Sequence, residues 1–205
     1  MFPDDLISRS QCLQRVQSSP EPSGEFYLGV DVARMGGDEI TFEILEKKGE
    51  IYFQRDNIVH TYKLTTETID TVLKLDEKYG FKQIYIDDGG LGVAVFDQLL
   101  LHPQTKGKVV AINNASRALD RDSSRSKKLL KEDLYLNLRH MMERGTIKLL
   151  RDSDISMSLK SIICEVSDKT GEVRIYGRYT HIAEGLIRAA WCVRDKRLNL
   201  YYERE

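Results

Sequence analysis

The sequence predicts an α/β domain in which a mixed β-sheet is flanked by α-helices and an additional β-hairpin stands beside the last helix. Two observations predict it. Three extended apolar runs follow one another between Phe26 and Val59, separated by the turn-forming stretches RMGGD and KKG. After them, helical spacing and short apolar runs alternate until about Arg194. A chain of 205 residues is long enough for one good-sized domain with a real core.

The elements follow in chain order. Met1 to Gly24 ends in QSSPEPSGE, a loop-forming composition, and most of it reads as a tether or a partly ordered arm. Phe26 to Val32 and Glu39 to Glu46 make a hairpin, and GEIYFQRDNIV continues the meander. Thr66 to Tyr79 carries Ile69, Val72, Leu73 and Leu75 at helical spacing, and Gly80 stands where a helix stops. KQIYIDD is a short buried strand, GGLGVAVFDQLLL opens a helix through a glycine-rich turn, and KVVAIN is another strand. Ser126 to Gly145 is a long helix with Leu129, Leu130, Leu134, Leu138 and Met141 on one side. TIKLL is a strand, Asp154 to Ser161 starts a helix, and IICEVSDKTGEVRIYG is a hairpin around DKTG. The last element is a helix from about His181 to Arg194.

Composition excludes several classes of protein. Net charge is −1, so overall charge announces no nucleic-acid partner. Cys12, Cys164 and Cys192 are scattered, with neither zinc spacing nor a disulfide framework, as in a reducing cytosol. The start, MFPDDLIS, lacks the pattern of a signal peptide, and no apolar stretch is long enough to cross a membrane.

The chemistry concentrates in three places. Asp31 ends an apolar strand, with Asp38 in the turn that follows. Asp87 and Asp88 end the strand IYIDD, whose Ile84 and Ile86 read as buried. His181 and Glu184 share the first turn of the last helix. Singly, each has an ordinary structural reading as a turn, a cap or a solvated acid. Together, strand ends meet at one rim of a mixed sheet, and a helix beside them can bring Glu184 to Asp31 and Asp87. Three carboxylates at one point repel unless cations hold them, and hard oxygen donors suit Mg²⁺ or Mn²⁺. Gly185, inside the helix, would let its backbone approach the central strand.

These motifs resemble the nuclease domain of the large terminase subunit of tailed bacteriophages, a ribonuclease H-like fold. GVDVARMGGDEI is similar to that family's G-x-D-x-A-x-x-G-x-D opening, YIDDGGLGVAVFDQL to its strand-end aspartate with G-x-G and a helix, and THIAEGLIRAA to its closing H-x-x-D-A-L helix. The resemblance runs from about Asp5 to about Val193. It implies Asp31, Asp87 and Glu184 as catalytic, metal-binding acids, with His181 beside them; Asp38, foremost a turn residue, and Asp88, an added carboxylate with no assigned role, are the further candidates around these acids. It further implies two Mg²⁺ or Mn²⁺ ions and hydrolytic cutting of double-stranded viral DNA concatemers during genome packaging. Glu184 and Gly185 stand where the family pattern has Asp and Ala. The implied partners are an ATPase domain, the portal and the small terminase subunit, in the host cytoplasm during virion assembly and away from any membrane. The chain has no G-x-x-x-x-G-K-[ST] phosphate loop. The expectation is therefore an isolated nuclease domain over residues 25–205, with 1–24 as a linker segment from an absent ATPase domain.

DNA contact must come from local charge. Arg117 to Arg151 holds ten Lys/Arg against five Asp/Glu, and Arg125, Lys127 and Lys128 open the long helix with Lys131 one turn on. Lys169, Arg174 and Arg178 make the hairpin a second candidate. The rival readings are a Holliday-junction resolvase using the same acids, an actin-like ATPase, for which the chain is short, and a non-catalytic DNA-binding module.

Overall fold

The computed structural model describes residues 1–15, 24–32, 39–61, 64–87, 89–112, 130–166 and 173–192. Its elements are α1 (Asp4–Ser10), β1 (Gln11–Leu13), β2 (Glu25–Asp31), β3 (Glu39–Lys48), β4 (Ile51–Thr61), α2 (Thr65–Tyr79), β5 (Gln83–Asp87), α3 (Gly92–Leu101), β6 (Val109–Ile112), α4 (Leu130–Glu143), β7 (Ile147–Leu150), α5 (Ser153–Ser161), β8 (Ile163–Val166), β9 (Val173–Tyr176) and α6 (His181–Cys192). Seven strands form one mixed sheet in the order β1-β7-β4-β3-β2-β5-β6, and β8 and β9 form a separate hairpin. β2, β3 and β4 pair antiparallel, while β5 joins β2, β6 joins β5 and β7 joins β4 in parallel. The mixed sheet flanked by helices is the expected fold class.

Strand periodicity assigns the two faces. Along a strand, alternate side chains point to opposite sides of the sheet. Phe26, Leu28 and Val30 of β2, Ile40, Phe42 and Ile44 of β3, and Ile84 and Ile86 of β5 lie in one core with Val72, Leu75 and Tyr79 of α2 and Val95 and Leu99 of α3. The intervening residues Gly29 and Asp31 of β2, Thr41 and Glu43 of β3, and Asp87 of β5 therefore face the other side. That side is covered by α6, which packs across β2, β3 and β5, with α4 and α5 beside it. α2 ends at Gly80, whose φ of +61° is the left-handed conformation that glycine adopts without strain.

The N-terminal stretch departs from expectation. Its first residues do not form a tether: Phe2, Leu6 and Ile7 are buried in the core that holds α4, α5 and α6. β1 then adds to the sheet edge, parallel to β7. Loop-forming residues at its end, QSSPEPSGE, dominate the composition of this stretch, while three apolar side chains at its start, two of them on one short helix, decide where its beginning goes. α4 is described from Leu130, and the expected start at Ser126 lies outside the described residues. No helix among the described residues is long and apolar enough to cross a membrane.

Candidate active site

Register brings two acids together before any helix is considered. β2 and β5 are parallel neighbours with Val30 opposite Ile86, so the next residues, Asp31 and Asp87, end adjacent strands on the same face. α6 lies over that face and carries Glu184 and Arg188 one helical turn apart. Its first turn is held by Thr41, whose Oγ1 donates to the His181 carbonyl at 2.9 Å, and by Ser158, whose Oγ accepts from the Ala183 N–H at 3.0 Å.

The helix approaches as closely as it does because the contact residues are glycines. A Cβ on Gly29 would fall 2.2 Å from the Gly185 carbonyl oxygen and 2.3 Å from the Ala189 nitrogen. One on Gly185 would fall 2.7 Å from Thr41 Oγ1. The close approach that Gly185 suggests from sequence is thus met by a second glycine on the strand.

At the rim, one guanidinium gathers the acids. Arg188 Nη1 lies 3.1 Å from Asp31 Oδ1 and 3.2 Å from Glu184 Oε2, and Nη2 lies 3.0 Å from Asp87 Oδ1. Nη1 also donates to the Glu184 carbonyl at 2.7 Å. The other oxygen of Asp31, Oδ2, is 2.9 Å from His181 Nδ1. Glu184 Oε1 accepts from the Tyr135 hydroxyl at 2.8 Å and lies 3.3 Å from Lys131 Nζ. Asp31, Asp87, Glu184 and His181, all singled out from sequence, therefore share one centre.

The electrostatics follow from burial. Arg188 is completely buried. Burial by itself would lower its pKa, but Asp31, Glu184 and Asp87 outweigh that and raise it. Burial raises the pKa of Asp87, with Arg188 opposing and Asp31 and Glu184 adding to the rise. Burial likewise raises that of Tyr135, aided by the Glu184 carboxylate. The repulsion expected of three bare carboxylates is relieved by a side chain of the protein itself. Among the described residues, no three His, Cys, Asp or Glu side chains converge as a ready metal cage.

Other expected residues stand apart from this centre or beyond the described residues. Asp38, Asp88, Arg125, Lys127, Lys128 and Lys169 lie outside the described residues. Arg174 and Arg178 are exposed, Arg174 opposite Glu165 across the β8–β9 hairpin. Lys131, placed with the basic stretch by sequence, turns inward to Glu184. Arg188, Tyr135 and Lys131 had no role in the sequence motifs. Arg188 was detectable: it is the one basic residue in IAEGLIRAAW, a stretch apolar apart from it and Glu184, and it sits four residues after Glu184.

Glu43 is buried under α6 near Gly185, and Gln54 Nε2 donates to its Oε2 at 2.7 Å while Asn57 Nδ2 donates to its Oε1. Burial pushes its pKa up to about 8, against an ordinary value of 4.5. A carboxyl raised in the folded state contributes stability that is fully present below about pH 4.5, falls as pH rises and is gone above about pH 8. At about 1.4 kcal/mol per pH unit across that window, the loss amounts to a few kcal/mol. Glu43→Gln is expected to flatten this slope, so that urea unfolding at pH 8.5 shows a more stable variant while the two proteins converge at pH 4.5. Parallel pH profiles for the two proteins would rule out a neutral Glu43.

The sheet order and the helices on both faces give the chain a ribonuclease H-like α/β fold. The solved structures it is similar to include large terminase nucleases. The nuclease of thermophilic phage G20c with bound magnesium shares 19% identity at a TM-score of 0.70, over 91% of this chain and 94% of that one. The Thermus phage nuclease domain shares 14% at 0.66, over 90% of each chain. A large terminase of another thermophilic bacteriophage shares 16% at 0.65, over 94% of this chain and 43% of that one. Another G20c nuclease structure holds cobalt. No protein-family model matches the chain, and no curated protein matches it significantly.

Proposed function

We propose that this chain is a metal-dependent endonuclease that cuts double-stranded DNA concatemers during phage genome packaging, with Asp31, Asp87 and Glu184 as its acid centre. The observation that carries the reading is the meeting of these three carboxylates at one rim, from two adjacent parallel strand ends and one helix turn. The donor set fits a hard divalent cation in kind, since carboxylate oxygens suit Mg²⁺ and Mn²⁺. Asp31 and Asp87 would hold it, with Glu184 at the same centre. When bound, such an ion polarises the phosphodiester and acidifies a water. The chain's own part is to fix the acids. Strand register sets Asp31 beside Asp87, Tyr135 and Lys131 hold Glu184, and His181 orients Asp31.

The same reading assigns ATP hydrolysis to an ATPase domain joined through the 1–24 end, and the portal and small terminase subunit as partners in the host cytoplasm. The test is cutting of supercoiled plasmid with Mg²⁺, Mn²⁺, Ca²⁺ or chelator. Cutting with Mg²⁺ or Mn²⁺ and none with chelator is expected. No cutting with either ion, or cutting confined to four-way junctions, refutes it.

The exposed hairpin arginines supply a separate expectation. Arg174→Ala with Arg178→Ala should flatten the salt dependence of duplex binding. Removing one arginine–phosphate pairing lowers the slope of log K against log salt by roughly 0.9. The slope is measured by fluorescence anisotropy on two unrelated duplexes, which should change alike because phosphate pairing carries no sequence information. An unchanged slope moves the DNA path off the hairpin.

A further inference from the structure

Among the described residues, Arg188 is the one Lys or Arg that is wholly buried, and its charge is committed to the acid centre. It takes one oxygen from each of Asp31, Asp87 and Glu184, the position from which a cation touches all three. Glu184 is further committed, because its second oxygen is held by both Tyr135 and Lys131, whereas the second oxygen of Asp31 meets the half-exposed His181. The less enclosed acids are Asp31 and Asp87, with side chains 10% and 19% exposed, and His181 beside Asp31 at 31%.

Charge then limits what the centre accepts. Among the described residues, three carboxylates face two fixed cations, Arg188 and Lys131, leaving one net negative charge. One divalent ion turns this to a single positive charge, which one phosphate of DNA offsets. Two ions would leave three positive charges around a wholly buried guanidinium, where unpaired charge is heavily penalised. A guanidinium does not escape by losing its proton.

We propose that Arg188 is a resident cation standing in for one of the two metal ions, so that this centre binds a single divalent ion, held by Asp31 and Asp87. This rests on the nuclease reading. Arg188 is a positioning residue: it acts through the carboxylates it holds, fixing Glu184 and leaving Asp31 and Asp87 to the ion.

The experiment counts Mn²⁺ bound to the purified chain by calorimetry and by electron paramagnetic resonance, without DNA or turnover. Wild type is expected to bind one Mn²⁺ and to lack the spin coupling of two ions roughly 3.5–4 Å apart. Arg188→Gln, neutral and able to hydrogen bond, should bind two and show coupling. Arg188→Lys, which keeps the charge, should stay at one. Two coupled ions in wild type or in Arg188→Lys overturn the proposal and leave the nuclease reading intact. A single ion in folded Arg188→Gln also overturns it. If Arg188→Gln fails to fold, the wild-type and Arg188→Lys counts decide. Absence of Mn²⁺ from wild type and both variants removes the nuclease reading and this proposal with it.

Discussion

Asp31→Asn or Asp87→Asn is expected to lower plasmid cutting by on the order of 10³-fold or more, about 4 kcal/mol of lost transition-state stabilisation. Each substitution removes an anionic oxygen donor while keeping the shape of the side chain, so ion binding suffers first. Asparagine retains a carbonyl oxygen that can accept from Arg188, and Arg188 keeps its two remaining carboxylates. The fold should therefore persist with a loss of roughly 1–3 kcal/mol, the scale of a weakened buried hydrogen bond to a charged group. This differs from the expectation for a bare acid cluster, where removing a like charge relieves repulsion. Thermal unfolding and Mn²⁺-dependent cutting are measured on the same preparations. Cutting within threefold of wild type in either variant would falsify the assignment of that aspartate.

Gly29→Ala is expected to be strongly damaging, because the added methyl group would meet the backbone of the site helix. Its Cβ would sit 2.2 Å from the Gly185 carbonyl and 2.3 Å from the Ala189 nitrogen, both backbone atoms of α6. Neither can rotate aside as a side-chain tip could, so the whole helix must move off the sheet. Overpacking of this kind costs about 1–3 kcal/mol or more. α6 also carries Glu184 and Arg188, and a displacement of about 1 Å at such a site can cost 10²-fold in rate. Gly107→Ala is the control, because nothing lies within 4 Å of its Cβ position. Chemical denaturation and plasmid cutting of both variants give the comparison. A Gly29→Ala protein as stable and active as Gly107→Ala would contradict the packing described.

Asp31, Asp87, Glu184 and His181 were legible in the sequence because each sits at an element boundary that periodicity or turn chemistry reveals. Apolar residues of period two stop at Asp31 and at Asp87, and the helical pattern of α6 starts at His181. The partner of Asp31 was not legible. The motifs suggested metal, whereas the fold supplies His181 on one oxygen and Arg188 on the other. That arginine is 157 positions away in sequence, and only the crossing of α6 over β2 brings it near. Local pattern likewise misread the N-terminal stretch. QSSPEPSGE speaks for loop, but whether Phe2, Leu6 and Ile7 find a core depends on α4 and α5 being there to receive them.

What the sequence by itself determined is the order and type of the elements from β2 onward, the two faces of each strand and the acids at their ends. These follow from periodicity, turn residues and the cost of ending a buried strand on a charge, all local in the chain. What only the tertiary structure decided is which charges meet. Sheet order sets Asp31 beside Asp87, two facing glycines let α6 descend, and Arg188 arrives at a distance where one guanidinium reaches three carboxylates. Electrostatic pairing depends on separations of about 3 Å in space, and spacing along a chain does not set those until the packing is fixed.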